Sequence, residues 1–452
     1  MSFTLDGNRG VTGSQERMAT QGRGRRGPRP DQKGDAMSEL KAEVDPAEVG
    51  LDPERLRRVD RHFARYVDDR RLPGWLITVS RHGRLAHVSC YGSRDTEAGL
   101  PVETDTLWRI YSMTKPITSV AAMMLYEEGA FELTDPVSSF IPSFAGARVY
   151  AGGSDLRPVT VPAAEPVRIW HLLTHTSGLT YGFHRVHPAD ALHRAAGFDL
   201  GPLPAGIDLA QACDTWAGIP LLFQPGSEWN YSVATDVLGR VIEVASGQPL
   251  DEFLTTRILR PLGMNDTGFY APQDHESRLA ALYGAGPDRK AARLDALGEA
   301  ARKRPDMLSG GGGLVSTAAD YHRFIQMLLH RPDSPAGELD GVQLLSPRTV
   351  SYMGQNHLPG GVDLETFGRP LFAEAPFRGT GFGLGFAVVI DPVPGKVICS
   401  RGELSWGGAA STSFWIDPAE ELTVSFFTQL LPSSTYRIRP QLRQLVYQAL
   451  AG

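Results

Sequence analysis

Apolar residues recur at helical spacing in several separate stretches of the chain. In "DPERLRRVDRHFARYVDD", Leu56, Val59, Phe63 and Val67 fall on one face, with Asp52-Pro53 as N-cap and first-turn pair. In "PITSVAAMMLYEEGAFEL", Ile117, Val120, Ala121, Met124 and Leu125 step as i, i+3, i+4, i+7 and i+8, and Gly129 supplies the stop. "STAADYHRFIQMLLH" opens on Thr317 and Asp320 in a capping-box pattern. The chain closes on the helical pattern "YRIRPQLRQLVYQAL". Strand patterns lie elsewhere. "GWLITVSRHGRLAHVSCYG" reads as two β-rich runs turning at Arg81-His82-Gly83-Arg84, and β character returns late, in "GFGLGFAVVIDP", "STSFWIDP" and "LTVSFFTQL".

Strands at both ends around a helical middle predict an α+β fold: one antiparallel β-sheet flanked by helices, with a mostly helical lobe inserted. The expected division is an α/β lobe from about 44–125 and 376–452 and a mostly helical lobe over about 126–375, together one two-lobed domain. Residues 1–43 read as a disordered leader, because "QGRGRRGPRP" clusters Gly, Pro and Arg with no apolar stretch. Met37 looks like an alternative start.

Composition removes several function classes. At 452 residues and 42% hydrophobic the chain can bury a large core, while a net charge of −6 gives no reason to expect nucleic acid. No apolar run approaches the ~18 residues of a membrane span. Cys90, Cys213 and Cys399 are scattered, with no CxxC pair, so free thiols in a reducing, cytoplasmic compartment are expected.

The candidate chemistry sits at "YSMTKP", where Ser112 and Lys115 open the apolar helix. Residues i and i+3 share a helix face, and desolvation by apolar neighbours favours a neutral amine able to accept the serine proton. Pro116 is tolerated only in a first helical turn, which places Ser112 at the helix N-terminus. A capping serine with a solvent-facing lysine fits the same letters. Lysine is scarce, six of 45 basic residues, which favours the chemical reading. A second Ser-x-x-Lys, Ser38 to Lys41, falls in the leader, where no scaffold would hold it. Two further stretches add weight. "QPGSEWNYSVATDVLGRVIE" sets Tyr231 before an apolar helix, as packed aromatic or general base. "GELSWGGAASTSFWIDP" puts Gly407-Gly408 at the start of a late strand, where bare backbone can approach a ligand or form a β-bulge or turn.

Other patterns fail. "HLLTH" places His171 and His175 four apart but has Leu172 where a zinc peptidase needs Glu. "SGGGGLVST" lacks the Gly-Lys-Ser/Thr of a phosphate loop and reads as a loop entering a helix. No Gly-x-Ser-x-Gly occurs.

In this order and at these spacings, Ser112-Met113-Thr114-Lys115, Tyr231-Ser232-Val233 and Trp406-Gly407-Gly408 resemble the three motifs of the serine β-lactamase and penicillin-binding-protein superfamily. The class C-like branch, and the family VIII carboxylesterases within it, are the nearer match; "HLLTHTSGL", "GGGLVSTAADYHRF" and "GFGLGF" resemble stretches of that branch. The resemblance runs from about residue 45 to the end. It implies that Ser112 is acylated, that Lys115 takes its proton, and that Tyr231 shuttles it to the leaving group and activates water. It also implies an oxyanion hole from the backbone N–H groups of Ser112 and Ala409, and a substrate wall of Trp406, Gly407 and Gly408. Two departures bear on substrate: Val233 replaces the Asn, and Trp406 the Lys, that β-lactamases of this class usually carry. The expectation is a serine hydrolase of short-chain carboxylic esters, without cofactor or metal, acting on a small molecule. Alternatives are a β-lactamase or D-amino-acid peptidase, an acyltransferase, or a non-catalytic penicillin-binding-like module.

Overall fold

His82 and Gly83 both take positive φ, +54° and +73°, which is the two-residue turn whose twist matches paired strands. They join β1 (Gly74–Arg81) to β2 (Arg84–Asp95) with Arg81 opposite Arg84. The computed structural model describes residues 40–200, 204–331, 333–369 and 377–451. Its main sheet is completed by β3 (Leu100–Pro101) and by five late strands, β4 (Thr380–Phe382), β5 (Ala387–Val389), β6 (Leu404–Gly407), β7 (Ser413–Asp417) and β8 (Leu422–Phe427). The order is β4-β5-β6-β7-β8-β1-β2-β3, antiparallel throughout, so early and late chain meet at β8 and β1.

Every residue of β1 is buried, because helices cover both faces. Trp75, Ile77 and Val79 join Leu56, Val59 and Phe63 of α1 (Pro53–Asp68) in one cluster. Leu442 and Val446 of the C-terminal helix Ile438–Tyr447 complete it. As the sequence predicts, Asp52 caps α1 by accepting from the Arg55 N–H. Leu76, Phe414, Ile416 and Phe427 belong to the second cluster, with Tyr321, Phe324 and Ile325 of helix Ala318–Leu328. That helix lies within the 126–375 stretch yet packs on the sheet. Its buried Gln326 donates to Ser80 Oγ (3.1 Å) and Thr423 Oγ1 (2.7 Å), satisfying polar groups of two central strands.

The helical region holds α2 (Thr114–Glu127) and α3 (Ala234–Ser246), whose Val120, Ala121, Val237, Leu238 and Val241 share the larger core. The periodicity of α2 suggests a one-sided apolar stripe. Instead every residue from Thr114 to Leu125 is buried, Lys115 included, because one core cluster drawn from α3, helix Ala318–Leu328 and the sheet surrounds it. Shorter helices, Ile169–Leu173, Pro188–Ala195 and Leu209–Ala217, lie between. Met37, Ser38 and the 375/376 lobe boundary fall outside the described residues, as does most of the leader; Glu43 bonds through its N–H to the Leu85 carbonyl (2.7 Å). Among the described residues no helix is long and apolar enough to cross a membrane.

Candidate active site

Ser112 sits in a 3-10 turn, Tyr111–Met113, that runs directly into α2, with Pro116 in the helix's first turn. Tyr111 has φ +45°, a strained conformation for a bulky residue that persists only when its surroundings over-determine it. They do. On one side Arg109 is buried and donates to the carbonyls of Ala280 (2.6 Å) and Gly298, while Gln429 Nε2 donates to its carbonyl (3.1 Å). On the other, Tyr321 OH donates to the Met113 carbonyl (3.0 Å). Ser112 Oγ therefore stands on a turn clamped from both ends.

Lys115 Nζ lies 3.2 Å from Ser112 Oγ, 2.9 Å from Tyr181 OH and 2.6 Å from the Gly311 carbonyl oxygen. It also stands 4.5 Å from the centre of the Tyr231 ring. Three polar partners match the three N–H bonds of an ammonium. A neutral amine could equally keep two of them and turn its lone pair toward the serine proton. Burial, reinforced by the charge of Asp236, pushes the Tyr181 hydroxyl well above its ordinary range, so it is held protonated. His175 is driven well below its usual value by burial and by the Lys115 charge, and stays neutral against Ser232 Oγ (3.2 Å).

Trp406 Nε1 donates to Tyr231 OH at 3.3 Å. The indole N–H is thus committed to the phenol, leaving the ring face for the cavity. Tyr231 is packed by Trp229, His175, Tyr181 and Trp406, ring centres 5.0–6.3 Å apart. Ser112, Tyr181, Tyr231, Val233, Trp406, Gly407, Gly408 and Ala409 all line one cavity of about 1240 Å³. Arg401, a cation five residues before Trp406, is exposed and does not line it.

The glycine pair needs a correction. Gly407 ends β6 and does not open a strand; Gly408 begins the turn to β7, with its N–H on the Thr412 carbonyl (2.9 Å). The reason for glycine is close approach. A Cβ at Gly408 would stand 2.4 Å from the Ile110 carbonyl oxygen, two residues before Ser112. Ala409, next in the chain, lines the same cavity as Ser112, and its N–H makes no hydrogen bond to any described residue. His171 and His175 also resolve: His171 Nδ1 accepts from the Arg168 N–H (2.9 Å), and burial drives this histidine down to about 3. Sequence reasoning missed Tyr181, which no motif marks, and read the Ser309–Gly313 loop as a mere connection. Its Gly311 carbonyl holds Lys115.

Residues 59–448 match the Beta-lactamase family, most of the chain. The chain belongs to the beta-lactamase family. Within it, the protein is similar to Protein Rv1367c of Mycobacterium tuberculosis (strain ATCC 25618 / H37Rv), 37% identical over 80% of this chain and 86% of the relative. It is similar to Esterase EstB of Burkholderia gladioli, 33% identical over 86% and 94%. Among solved structures it resembles EstCE1, described as a hydrolase with promiscuous acyltransferase activity, at TM-score 0.70 and 29% identity over 87% of this chain and 98% of that one. The α+β architecture read from the sequence is that of this family.

Proposed function

We propose that this beta-lactamase-family protein is a serine carboxylesterase working through an acyl-enzyme on Ser112. The observation that carries the reading is Lys115 Nζ, buried and shared among Ser112 Oγ, Tyr181 OH and the Gly311 carbonyl beside the Tyr231 ring. As Ser112 Oγ attacks an ester carbonyl, its proton passes to the Lys115–Tyr231 pair. The tetrahedral oxyanion forms beside the N–H groups of Ser112 and Ala409, a donor of this kind being worth ~10²–10³ in rate. Collapse breaks the ester C–O bond, and the departing alcohol takes the proton from Tyr231. Water then adds to the acyl-enzyme with Tyr231 as base, the acid leaves, and Ser112 regains its proton. The Trp406 N–H supports this shuttle by stabilising negative charge on the Tyr231 oxygen.

Trp406 and Val233 give the cavity apolar surface where a β-lactam carboxylate would call for a cation and an amide, which supports uncharged short-chain esters as substrates. Transfer of the acyl group to an alcohol is the second reading, since the same deacylation geometry accepts any hydroxyl nucleophile and EstCE1 is described with both activities. Residues 44–452 would serve as one two-lobed catalytic domain. Free Cys90, Cys213 and Cys399 fit the cytoplasm. The test is intact-mass spectrometry after exposure to a fluorophosphonate, with Ser112→Ala as comparison. A single adduct mapping to Ser112, and loss of hydrolysis in the alanine variant, are expected; appreciable activity in Ser112→Ala overturns the assignment.

A further inference from the structure

Asp236 is a buried carboxylate that the acyl-transfer steps above do not use. It stands in the first turn of α3, is 3% exposed, and forms no ion pair among the described residues. Its Oδ1 accepts from Ser309 Oγ (2.5 Å) and from the Gly311 N–H (3.0 Å). The carbonyl of that same Gly311 receives Lys115 Nζ at 2.6 Å. One residue's backbone thus carries the carboxylate at its N–H and the ammonium at its C=O. The loop is tied at further points, with Thr118 Oγ1 donating to the Gly310 carbonyl (2.7 Å) and the Leu314 N–H to Thr114 Oγ1 (3.1 Å). A Cβ at Gly311 would stand 2.4 Å from Asp236 Oδ2, so glycine there is what lets the carboxylate lie against the backbone.

A charge buried without a contact partner is costly, and a merely structural latch could use a neutral asparagine or serine. What distinguishes aspartate is its negative charge, one loop residue away from Lys115. We propose that Asp236 is a positioning residue for the reaction, fixing Lys115 through Gly311 and setting, by its charge, the pH at which the Lys115–Tyr231 pair becomes able to take the serine proton. This rests on the reading of Ser112 and Lys115 above.

The charged and titratable groups that interact with Asp236 come from several elements. Lys115 lies on α2, Tyr181 on the segment after helix Ile169–Leu173, and Cys213 on helix Leu209–Ala217. Burial raises the Asp236 carboxyl, and the Lys115 charge, Ser309 and the Gly311 N–H oppose it. The same carboxylate adds to burial in raising Tyr181 and Cys213. The sign is the same for every neighbour: a nearby negative charge favours the protonated form, whether that form is an ammonium or a phenol. Removing it must ease deprotonation of the Lys115–Tyr231 pair.

The experiment is the pH profile of kcat/KM for p-nitrophenyl butyrate in Asp236→Asn, which keeps the shape and an acceptor oxygen but loses the charge. Asp236→Ser serves as a second uncharged variant. The acid limb is expected to move to lower pH by roughly one unit in either variant that folds by circular dichroism. Ser309→Ala, which keeps the charge and removes one hydrogen bond, should move that limb less than either. An acid limb unmoved in a folded uncharged variant overturns the proposal. Failure of both variants to fold also overturns it, by showing a structural tie alone. If Ser112→Ala retains activity, the nucleophile assignment has failed; an unmoved limb with Ser112→Ala inactive sinks only the role of Asp236.

Discussion

Replacing Gly408 by alanine tests the proposed role of the neighbouring Ala409 N–H as second oxyanion donor. The added carbon would stand 2.4 Å from the Ile110 carbonyl oxygen and 2.3 Å from Thr412 Oγ1, whereas ordinary contact begins at 3.4 Å. A threonine hydroxyl can rotate away. The Ile110 carbonyl cannot, because it belongs to the clamped backbone leading into Ser112. The hairpin must therefore retreat from that turn by 1.0 Å (3.4 − 2.4) along the contact. Ala409 moves with it, and productive geometry tolerates only about 0.5 Å. Losing one donor predicts a fall in kcat/KM of about 10²–10³. The same overpacking should cost about 1–3 kcal/mol of stability. Gly146→Ala is the control, since a Cβ there meets no heavy atom within 4 Å. The assay is steady-state hydrolysis of p-nitrophenyl butyrate on both variants, with thermal melts to show that each is folded. A folded Gly408→Ala enzyme of wild-type kcat/KM would refute the placement of Ala409 at the oxyanion.

Lys115 and Tyr231 should act as a unit: substitution of either is expected to cost ~10²–10⁴ in kcat, and the double variant should be barely worse than the poorer single. Fully additive losses in the double-mutant cycle would make Tyr231 a packing aromatic. Tyr181→Phe removes a hydrogen bond to Lys115 Nζ (2.9 Å) and should lower kcat by about tenfold or more with little change in KM, as initial-rate kinetics will show. Neutral p-nitrophenyl acetate or butyrate should be turned over with a much higher kcat/KM than nitrocefin on the same preparation; an equal or higher β-lactam value would favour the β-lactamase reading.

The parts of this protein legible in its sequence are those written in local spacing. Helix α1 with its Asp52 cap, the turn at His82-Gly83 and the placement of Ser112 just ahead of Pro116 depend on neighbours within a few residues. The order of the three motifs identified the family, and with it the sheet that joins early and late strands. Tyr181 and Gly311 were not legible, since they lie 66 and 196 residues from Lys115 and reach it only because α2 is buried in the core. Nor could spacing show that Gly407 closes a strand, because the strand's end is set by how near Gly408 must come to Ile110. The bond from the Trp406 N–H to Tyr231 had no signal in sequence either, since 175 residues separate the two and only packing brings them together. Periodicity states which face of an element is apolar. Which buried polar groups then find one another is settled by long-range packing, where each must be satisfied or carry a desolvation cost.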